Sequence, residues 1–344
     1  MFAPATDNIY SIQFDMIFRR QRIFWNDNMN YKHLKKDSSG ISVLIVLVIA
    51  AVVIIAGAAT YVLISDDDTV KEYGVGTTYS YDVTGDYAGN PVNGTNVLTI
   101  IGQSDKEYFI ESVTELRIGA IPIASGVEYN VSSKTGETPA GAIKIGSEKI
   151  TTIDGEVKVD VWEYSTEDVT GEPVHAKIYV DPKTSIEYRS ETTYEGQLLH
   201  LVANLSSMKE LDSTPYEESR FIGDNYVYLI STIEEKYFKV EMECVADCID
   251  GKYGMAQKLT TGDKTVILYF LATTPQGLMD GALDSKLKET FMTIDGEKEC
   301  EIWLYTESSE HKVAYGVDGD SGIIYLIEDH YDGVSPILLV LDRY

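Results

Sequence analysis

One long apolar run dominates the N-terminal part of the chain. From Ile41 to Ile64 the sequence contains no charged residue, and only Ser42, Thr60 and Tyr61 carry polar groups. At about 1.5 Å per residue, a helix of this length spans about 36 Å, which is enough to cross the hydrocarbon core of a bilayer. The pattern therefore predicts a single transmembrane helix over residues 41–64.

Charged residues are distributed unevenly around this run. Asp66, Asp67 and Asp68 follow it directly, whereas basic residues precede it, namely Arg19, Arg20, Arg22, Lys32, Lys35 and Lys36. Because Lys and Arg stay on the cytoplasmic side of a membrane helix, we expect a cytoplasmic basic segment (1–40), an acidic linker (65–71) and an extracytoplasmic remainder. This predicts a single-pass protein of the cell membrane.

The beginning of the chain leaves alternatives open. Met29 is a second candidate start, which would make residues 1–28 a misassigned extension. A cleaved secretory signal would have a shorter apolar core than residues 41–64. The stretch Lys35 to Ile45, in which a basic patch precedes Gly40, resembles the class III signal of archaeal pilins and archaellins. That resemblance implies a pilin-like anchor helix.

The region after the apolar run contains an internal duplication. The segment Thr152 to Glu156 recurs as Thr293 to Glu297, and in each copy a Trp and a Tyr follow at the same spacing. Further matches come in the same order, namely 76–81 with 223–228, 141–143 with 281–283, 180–181 with 317–318, and Tyr188 with Tyr325. Such self-similarity marks repeated structural units. We therefore expect β-rich repeat 1 over 72–210 and β-rich repeat 2 over 215–344.

Within each repeat the hydrophobic pattern has a period of two. Residues 156–164 alternate polar and apolar, as a strand with one buried face does, and turn signals recur every 8 to 12 residues or so. In repeat 2, Thr274 and Pro275 precede apolar residues at helical spacing, which predicts a helix over Gln276 to Thr290. Repeat 1 has a weaker counterpart near Pro139 to Gly146. The predicted fold class is all-β or α+β: a transmembrane helix, then two tandem related antiparallel β-sheet domains, each with a short helix.

The amino-acid composition narrows the range of possible functions. With 344 residues, of which 44% are apolar, the chain can bury a sizeable core. Its 28 Lys and Arg against 55 Asp and Glu give a formal net charge of −27, which disfavours nucleic acid as a partner. No cofactor is predicted.

Motifs that suggest chemistry have simpler explanations. Gly319 to Gly322 spells the nucleophile signature of chymotrypsin-like proteases, but repeat 1 has Asp181 to Ser185 at the same place, so we interpret both as hairpin turns. Asp318 begins like a calcium-binding loop, but the later ligand positions do not fit. The five histidines have no metal-site spacing, and no metal site is predicted.

Several residues remain candidates for other roles. Cys244, Cys248 and Cys300 suit either one disulfide or small buried thiols. Asn93, Asn130 and Asn204 begin N-glycosylation triplets in the predicted extracytoplasmic region. The repeated pairs Trp162 with Tyr164 and Trp303 with Tyr305 suit either the lining of a ligand cavity or core packing.

The strand 156–164, followed by Tyr179 to Asp181 and a turn into Ile186 to Tyr188, resembles the half-barrel of lipoprotein-carrier (LolA-like) surface proteins. That resemblance implies a curved sheet enclosing an apolar cavity for acyl chains. The first hypothesis is therefore a non-enzymatic, membrane-anchored module that binds an apolar ligand or lipid. The alternative is a structural or adhesive envelope protein with no small-molecule ligand. An enzyme is the least supported class, and the oligomeric state is left open.

Overall fold

The structure is a computed structural model that describes residues 72–134, 141–167, 173–194, 198–231, 237–261, 264–306, 311–331 and 337–344. The predicted basic segment, transmembrane helix, acidic linker and pilin-like signal lie outside the described residues. Within the described ranges, none of the helical structure is long and apolar enough to cross a membrane.

The described part of the chain is almost entirely β-structure. Its one helical element is a short 3₁₀ turn at Ile249–Gly251. The strands of repeat 1 are β1 (Thr78–Tyr87), β2 (Asn90–Gln103), β3 (Glu107–Ile118), β4 (Ile121–Ser133), β5 (Ile143–Thr152), β6 (Gly155–Glu167), β7 (Pro173–Val180), β8 (Glu187–Tyr194) and β9 (Leu199–Lys209). Those of repeat 2 are β10 (Asn225–Ser231), β11 (Tyr237–Cys248), β12 (Tyr253–Thr261), β13 (Lys264–Ala272), β14 (Leu283–Thr293), β15 (Gly296–Thr306), β16 (His311–Asp318), β17 (Ile324–Tyr331) and β18 (Ile337–Arg343).

The two repeats have the same strand order. In repeat 1 the antiparallel pairings run β4-β3-β2-β1-β9-β8-β7-β6-β5. In repeat 2 they run β13-β12-β11-β10-β18-β17-β16-β15-β14. In both, the last strand returns to pair with the first. Equivalent residues of the repeats can therefore be assigned from the register.

β-Bulges recur at equivalent positions in the two repeats. The register shifts before Tyr81 in β1 and before Tyr228 in β10, and it shifts again before Val180 in β7 and before Val317 in β16. A β-bulge redirects the side chains around it. Because the bulges coincide, Tyr81 and Tyr228 are equivalent, and so are Val180 and Val317.

The helix predicted over Gln276 to Thr290 is wrong. Residues 276–282 form turns and irregular structure, with Met279 in a β-bridge to Ala272, and Leu283–Thr293 is strand β14. Gly277, Gly281 and Lys286 have φ values of 96°, 88° and 64°, which a right-handed helix does not accommodate. In the counterpart near Pro139 to Gly146, the described residues belong to a turn and to strand β5 rather than to a helix.

The repeated Thr-Ile-Asp-Gly segment forms the tight turn between β5 and β6, and between β14 and β15. Gly155 and Gly296 have φ values of 94° and 93°, which favours glycine at this position. The Thr152 hydroxyl accepts a hydrogen bond from the Asp154 amide at 3.1 Å, and Thr293 does the same for Asp295 at 3.1 Å. The most similar stretch of the two repeats is therefore a conformational requirement of a hairpin.

The two sheets meet through a small apolar junction. Asp247 and Cys248 of β11 pair with Gln103 and Gly102 of β2, and Tyr269 of β13 pairs with Tyr129 of β4. The Phe109 ring stacks on Tyr129 with centroids 5.8 Å apart and meets the edge of Tyr269 at 6.4 Å. Ile101, Phe109, Ala246 and Leu271 are the buried residues of this junction cluster. The repeats are thus joined by backbone pairing as well as by side-chain packing.

Candidate ligand-binding face of repeat 1

Strand register places a series of polar side chains on one face of the sheet of repeat 1. Following the paired residues from β4 to β6 identifies this face, here called the inner face. Its members include Glu128, Ser112, Thr114, Asn96, Tyr81, Val83, Ala203, Leu201, Ser190, Thr192, Ile178, Ala176, Trp162 and Tyr164. The inner face thus combines apolar residues with an unusual number of buried polar ones.

Asn96 is the centre of the first polar group. It is fully buried on β2, and its Nδ2 donates to Ser112 Oγ at 2.8 Å and to Thr114 Oγ1 at 2.6 Å. Its Oδ1 is buried without a hydrogen-bond partner. Leaving such an acceptor unpaired costs about 1–3 kcal/mol. The arrangement therefore holds the amide with its oxygen available to a donor.

Glu128 extends this group to β4. It lies directly opposite Ser112 in the register, and its Oε2 is buried without a partner. Burial raises the pKa of the Glu128 carboxyl to about 7. The group can therefore change its charge near neutral pH.

Glu187 is the second polar group of the inner face. The bulge in β8 places it opposite Val180, and only 4% of the residue is exposed. Neither carboxyl oxygen has a hydrogen-bond partner of ordinary geometry. Burial raises the pKa of Glu187 well above its ordinary value, and the nearby Ser190 hydroxyl offsets part of that rise. Burial therefore favours the neutral, protonated form of this carboxyl.

Tyr81 links the two polar groups. It is the register partner of Asn96, and its hydroxyl donates to the Glu187 backbone carbonyl at 3.1 Å. Burial first, and the Glu187 carboxyl second, raise the pKa of Tyr81 well above its ordinary value. The Glu187 side chain therefore lies close enough to the Tyr81 hydroxyl for their charges to interact.

Polar residues of β8 divide the apolar interior of repeat 1. Ser190 pairs with Ile178 on one side and with Ala203 on the other. Ile178 belongs to the small cluster that contains Tyr164 and Trp162, whereas Ala203 belongs to the main core cluster. Thr192 separates the same two clusters one step further along the strand. The inner face therefore has a polar band, formed by Glu187, Ser190 and Thr192 of β8, between two apolar surfaces.

Repeat 2 has apolar residues at most of the positions that are polar on the inner face of repeat 1. Asn96 corresponds to Val240 and Glu187 to Ile324, both of which are buried. The same register assigns Thr114 to Leu259, Glu128 to Leu268 and Ser190 to Ile327, whereas Ser112 and Thr192 correspond to the polar Gln257 and Asp329. Among the described residues, buried side-chain polar atoms without a hydrogen-bond partner lie almost entirely in repeat 1. The fold therefore does not itself require the polar band.

The aromatic residues proposed from the sequence as cavity-lining lie on equivalent faces. Trp162 and Tyr164 pack with Ile178 and Val180 at the edge of the polar band, and the Trp162 Nε1 is buried without a partner. In repeat 2, Trp303 and Tyr305 are half-buried and pair with Tyr315 and Val313. The aromatic residues named from the sequence therefore share the inner face with polar residues that sequence inspection missed.

The predicted glycosylation residues differ in environment. Asn93 and Asn204 are exposed on β2 and β9, on the face opposite the inner face. Asn130 is half-buried and lies opposite Ile110, on the same side as Glu128. Asn93 and Asn204 are therefore the accessible candidates.

The three cysteines are free thiols in the structure, so none of the alternative disulfides is formed. Cys244 and Cys300 are buried and Cys248 is half-buried. Burial raises the pKa of Cys244 and Cys248 to about 12 and that of Cys300 to about 11. These thiols are therefore poor nucleophiles at neutral pH.

The protease-like segment Gly319 to Gly322 is a turn. The Ser321 hydroxyl donates to Asp318 Oδ2 at 2.9 Å, and the Gly322 amide donates to the Asp318 carbonyl at 2.8 Å. Thr184 and Ser185 make the same two bonds with Asp181 in repeat 1. Among the described residues, no group of three or more His, Cys, Asp and Glu side chains is placed to hold a metal ion.

Glu187, Asn96 and Glu128 were the residues that sequence inspection missed. A single carboxylate or amide in an alternating strand is indistinguishable from a solvent-facing one when the strand is considered alone. For Glu187 the available signal was the duplication, because the spacing that matches Tyr188 with Tyr325 sets Glu187 against Ile324. The equivalence of Asn96 and Val240 follows only from the strand register.

Known proteins resemble this chain only weakly. No protein-family model matches it, and no curated protein is recognisably similar. A chain of the Pseudomonas aeruginosa MucA/MucB complex is 8% identical with a TM-score of 0.25, over 56% of this chain and 87% of that chain. MucB in complex with MucA(peri) is 8% identical with a TM-score of 0.23, over 77% and 87%. Kievitone hydratase from Nectria haematococca is 8% identical with a TM-score of 0.17, over 83% and 95%. Scores of this size carry no weight for fold or function.

Proposed function

We propose that this protein is a membrane-anchored, extracytoplasmic binding protein in which repeat 1 holds an apolar ligand or lipid that carries a polar group. The observation that carries the proposal is the difference between the repeats. Asn96 and Glu187 are buried with unpaired polar atoms, whereas their equivalents Val240 and Ile324 are apolar. Buried unpaired polar groups lower stability, and a duplicated fold that works without them indicates that repeat 1 uses them for recognition.

The distribution of polarity on the inner face suits such a ligand. Apolar clusters flank the band that contains Glu187, Ser190 and Thr192. Binding sites for small molecules are mostly apolar with a few convergent polar groups that fix orientation. An apolar body would contact the clusters and its polar group would pair with the band. Repeat 2 would act as the structural platform to which repeat 1 is joined.

The membrane anchor is proposed from the sequence. The uncharged run 41–64, with basic residues before it and aspartates after it, favours a cytoplasmic N-terminus and an extracytoplasmic location of both repeats. A tethered binding protein would keep its ligand at the cell surface.

We propose no catalytic activity. The one serine in a protease-like context, Ser321, directs its hydroxyl to Asp318 within its own turn. The raised pKa values of the cysteines also disfavour a thiolate nucleophile.

A structural or adhesive envelope role is the second candidate. It is favoured by Asn93 and Asn204, which are both exposed on the outer face of repeat 1. Two glycans there would cover the surface without reaching the inner face.

The test is ligand recovery from the full chain purified from its own membranes in a polymer that retains native lipid around the helix. Native mass spectrometry and organic extraction would be applied to the wild type, to Trp162→Phe and to the matched Trp303→Phe. We expect a reproducible small molecule from the wild type and from Trp303→Phe, and a reduced yield from Trp162→Phe, because the Trp162 Nε1 is buried without a partner beside the polar residues of the inner face.

A wild-type mass without any reproducible ligand would contradict the binding proposal. If that mass also included glycan at Asn93 or Asn204, the envelope role would become the working function. Equal recovery from both Trp variants would move the binding site away from Trp162.

A further inference from the structure

The unpaired atoms of the inner face are unbalanced in hydrogen-bonding type. When the two carboxyls are ionised, acceptors predominate, since both carboxyl oxygens of Glu187, one of Glu128 and the amide oxygen of Asn96 have no partner. The one unpaired donor among these residues is the Trp162 Nε1. A ligand that binds this face with its carboxyls ionised must therefore bring more donors than acceptors.

The register places Lys144 on this face, opposite Trp162, but its charge is paired with Asp160 and not with Glu187 or Glu128. No described Lys or Arg forms an ion pair with Glu187 or Glu128. A buried carboxyl without a counter-charge stays protonated, and it ionises when an opposite charge comes within about 4–6 Å. A cationic group would thus gain a charge-assisted hydrogen bond that a neutral group would not.

The residues around Glu187 favour a cation on an apolar body. Val180, its register partner, belongs to the cluster that contains Trp162 and Tyr164. Aromatic faces attract ammonium groups within about 6 Å. A carboxylate ligand, such as a fatty acid, would instead meet two acidic side chains.

We propose that Glu187 is the counter-charge for a primary ammonium group on an apolar chain, bound at the inner face of repeat 1. The ammonium group has three N–H donors and no acceptor. Glu187 transfers its proton to solvent as the charged ligand binds, and its carboxylate accepts from the ammonium nitrogen, with Asn96 Oδ1 as a second acceptor on the same face. This inference rests on the proposed function and names its ligand class.

The experiment compares three ligands that differ only in their polar group. The full chain is placed in nanodiscs of phosphatidylcholine, whose quaternary ammonium has no N–H, and octylammonium, octanol and octanoate are titrated by calorimetry against empty nanodiscs. We expect octylammonium to bind the wild type at least about tenfold more tightly than the other two. Glu187→Gln, which keeps size and an acceptor, should bind octylammonium and octanol alike.

Two further proteins keep the result interpretable. Trp303→Phe changes the residue of repeat 2 that is equivalent to Trp162, and this variant should retain the preference for octylammonium. Glu187→Ile, which introduces the residue of repeat 2, should lose the preference even if Glu187→Gln folds poorly. Circular dichroism would verify the fold of each variant.

The outcomes separate this inference from the proposed function. Equal affinity of the wild type for octylammonium and octanol, or a preference that survives Glu187→Gln, would overturn the ammonium assignment while leaving ligand binding in place. Failure of all three probes to bind the wild type would overturn both.

A second arm identifies the source of the ammonium group. Part of the phosphatidylcholine is replaced by phosphatidylethanolamine, and lipids retained by the protein are counted by native mass spectrometry. Retention of phosphatidylethanolamine by the wild type, competed by octylammonium and lost in Glu187→Gln, would assign a lipid headgroup. Binding of octylammonium without such retention would assign a free amine.

Discussion

The Tyr81 hydroxyl donates to the backbone carbonyl of Glu187 at 3.1 Å, and this bond recurs between Tyr228 and Ile324 at 3.0 Å. The tyrosine therefore holds the same strand in both repeats, while the side chain that it positions is a carboxyl in one and a hydrocarbon in the other. Because the backbone is held alike, exchanging Glu187 for isoleucine tests the carboxyl and little else.

Glu187→Ile is expected to stabilise the ligand-free protein. It removes a buried carboxyl without hydrogen-bond partners and installs the residue that repeat 2 accommodates, so the free energy of unfolding should rise by about 1–3 kcal/mol at neutral pH. Denaturant titration of both proteins after delipidation measures the difference. Ile324→Val is the control for a mild change at the equivalent position and should cost about 0.5–1.5 kcal/mol. A destabilised Glu187→Ile would mean that the carboxyl has partners within the protein.

The same carboxyl predicts a pH dependence. Because the pKa of Glu187 is raised in the folded state, the folded protein keeps a proton that the unfolded chain loses above its ordinary pKa of about 4.5. The free energy of unfolding should therefore fall as pH rises from about 4.5. In Glu187→Gln this part of the decline should be absent. Parallel slopes in the two proteins would contradict the assignment.

Glu128 should affect the free energy of unfolding over a narrower pH range. Burial raises its pKa to about 7, so its stabilising contribution is complete below about pH 4.5 and is lost as pH rises through about 7. Glu128→Gln should remove a decline confined to this interval, whereas the neighbouring Ser112→Ala should leave it in place. Denaturation midpoints at half-unit pH steps would reveal the interval. A decline that persisted in Glu128→Gln would have to come from another group.

The junction between the repeats should tolerate no added methyl group. A Cβ on Gly102 would lie 2.6 Å from the Asp247 carbonyl oxygen, and one on Gly254 would lie 2.6 Å from the Phe109 ring. Gly102→Ala and Gly254→Ala should each lower the free energy of unfolding by about 1–3 kcal/mol. Gly126→Ala is the matched control, because a Cβ there has open space around it. A loss of similar size in Gly126→Ala would show that strand glycines, rather than the close approach, determine the effect.

Much of the fold followed from the sequence, for physical reasons that differ from element to element. Strand β6 was predictable because the polar and apolar residues of 156–164 alternate over most of its length. The helix predicted over Gln276 to Thr290 was wrong because the helical spacing of the apolar residues did not outweigh the low helix propensity of Gly277 and Gly281. The partners of Glu187 and Asn96 depend on cross-strand register, which no single strand encodes.

In each repeat a tyrosine hydroxyl donates to the aspartate of the β-hairpin turn that the two repeats share. The Tyr188 hydroxyl donates to Asp154 Oδ2 at 2.6 Å, and Tyr325 makes the equivalent bond with Asp295. Asp295 has a further donor, because the Tyr344 hydroxyl lies 3.1 Å from the same oxygen. Removing one hydroxyl should therefore leave Asp154 without its tyrosine donor, but should leave Asp295 with one.

Tyr188→Phe should accordingly cost more than Tyr325→Phe. A hydrogen bond to a charged group contributes about 1.5–3 kcal/mol, and partial exposure of these carboxylates favours the lower end for Tyr188→Phe. Tyr325→Phe should cost less, and the double variant Tyr325→Phe with Tyr344→Phe should restore the larger loss, since it removes both donors to Asp295. Denaturant titrations of the three variants give the comparison. Equal losses in the two single variants would mean that Tyr344 contributes nothing to its hairpin.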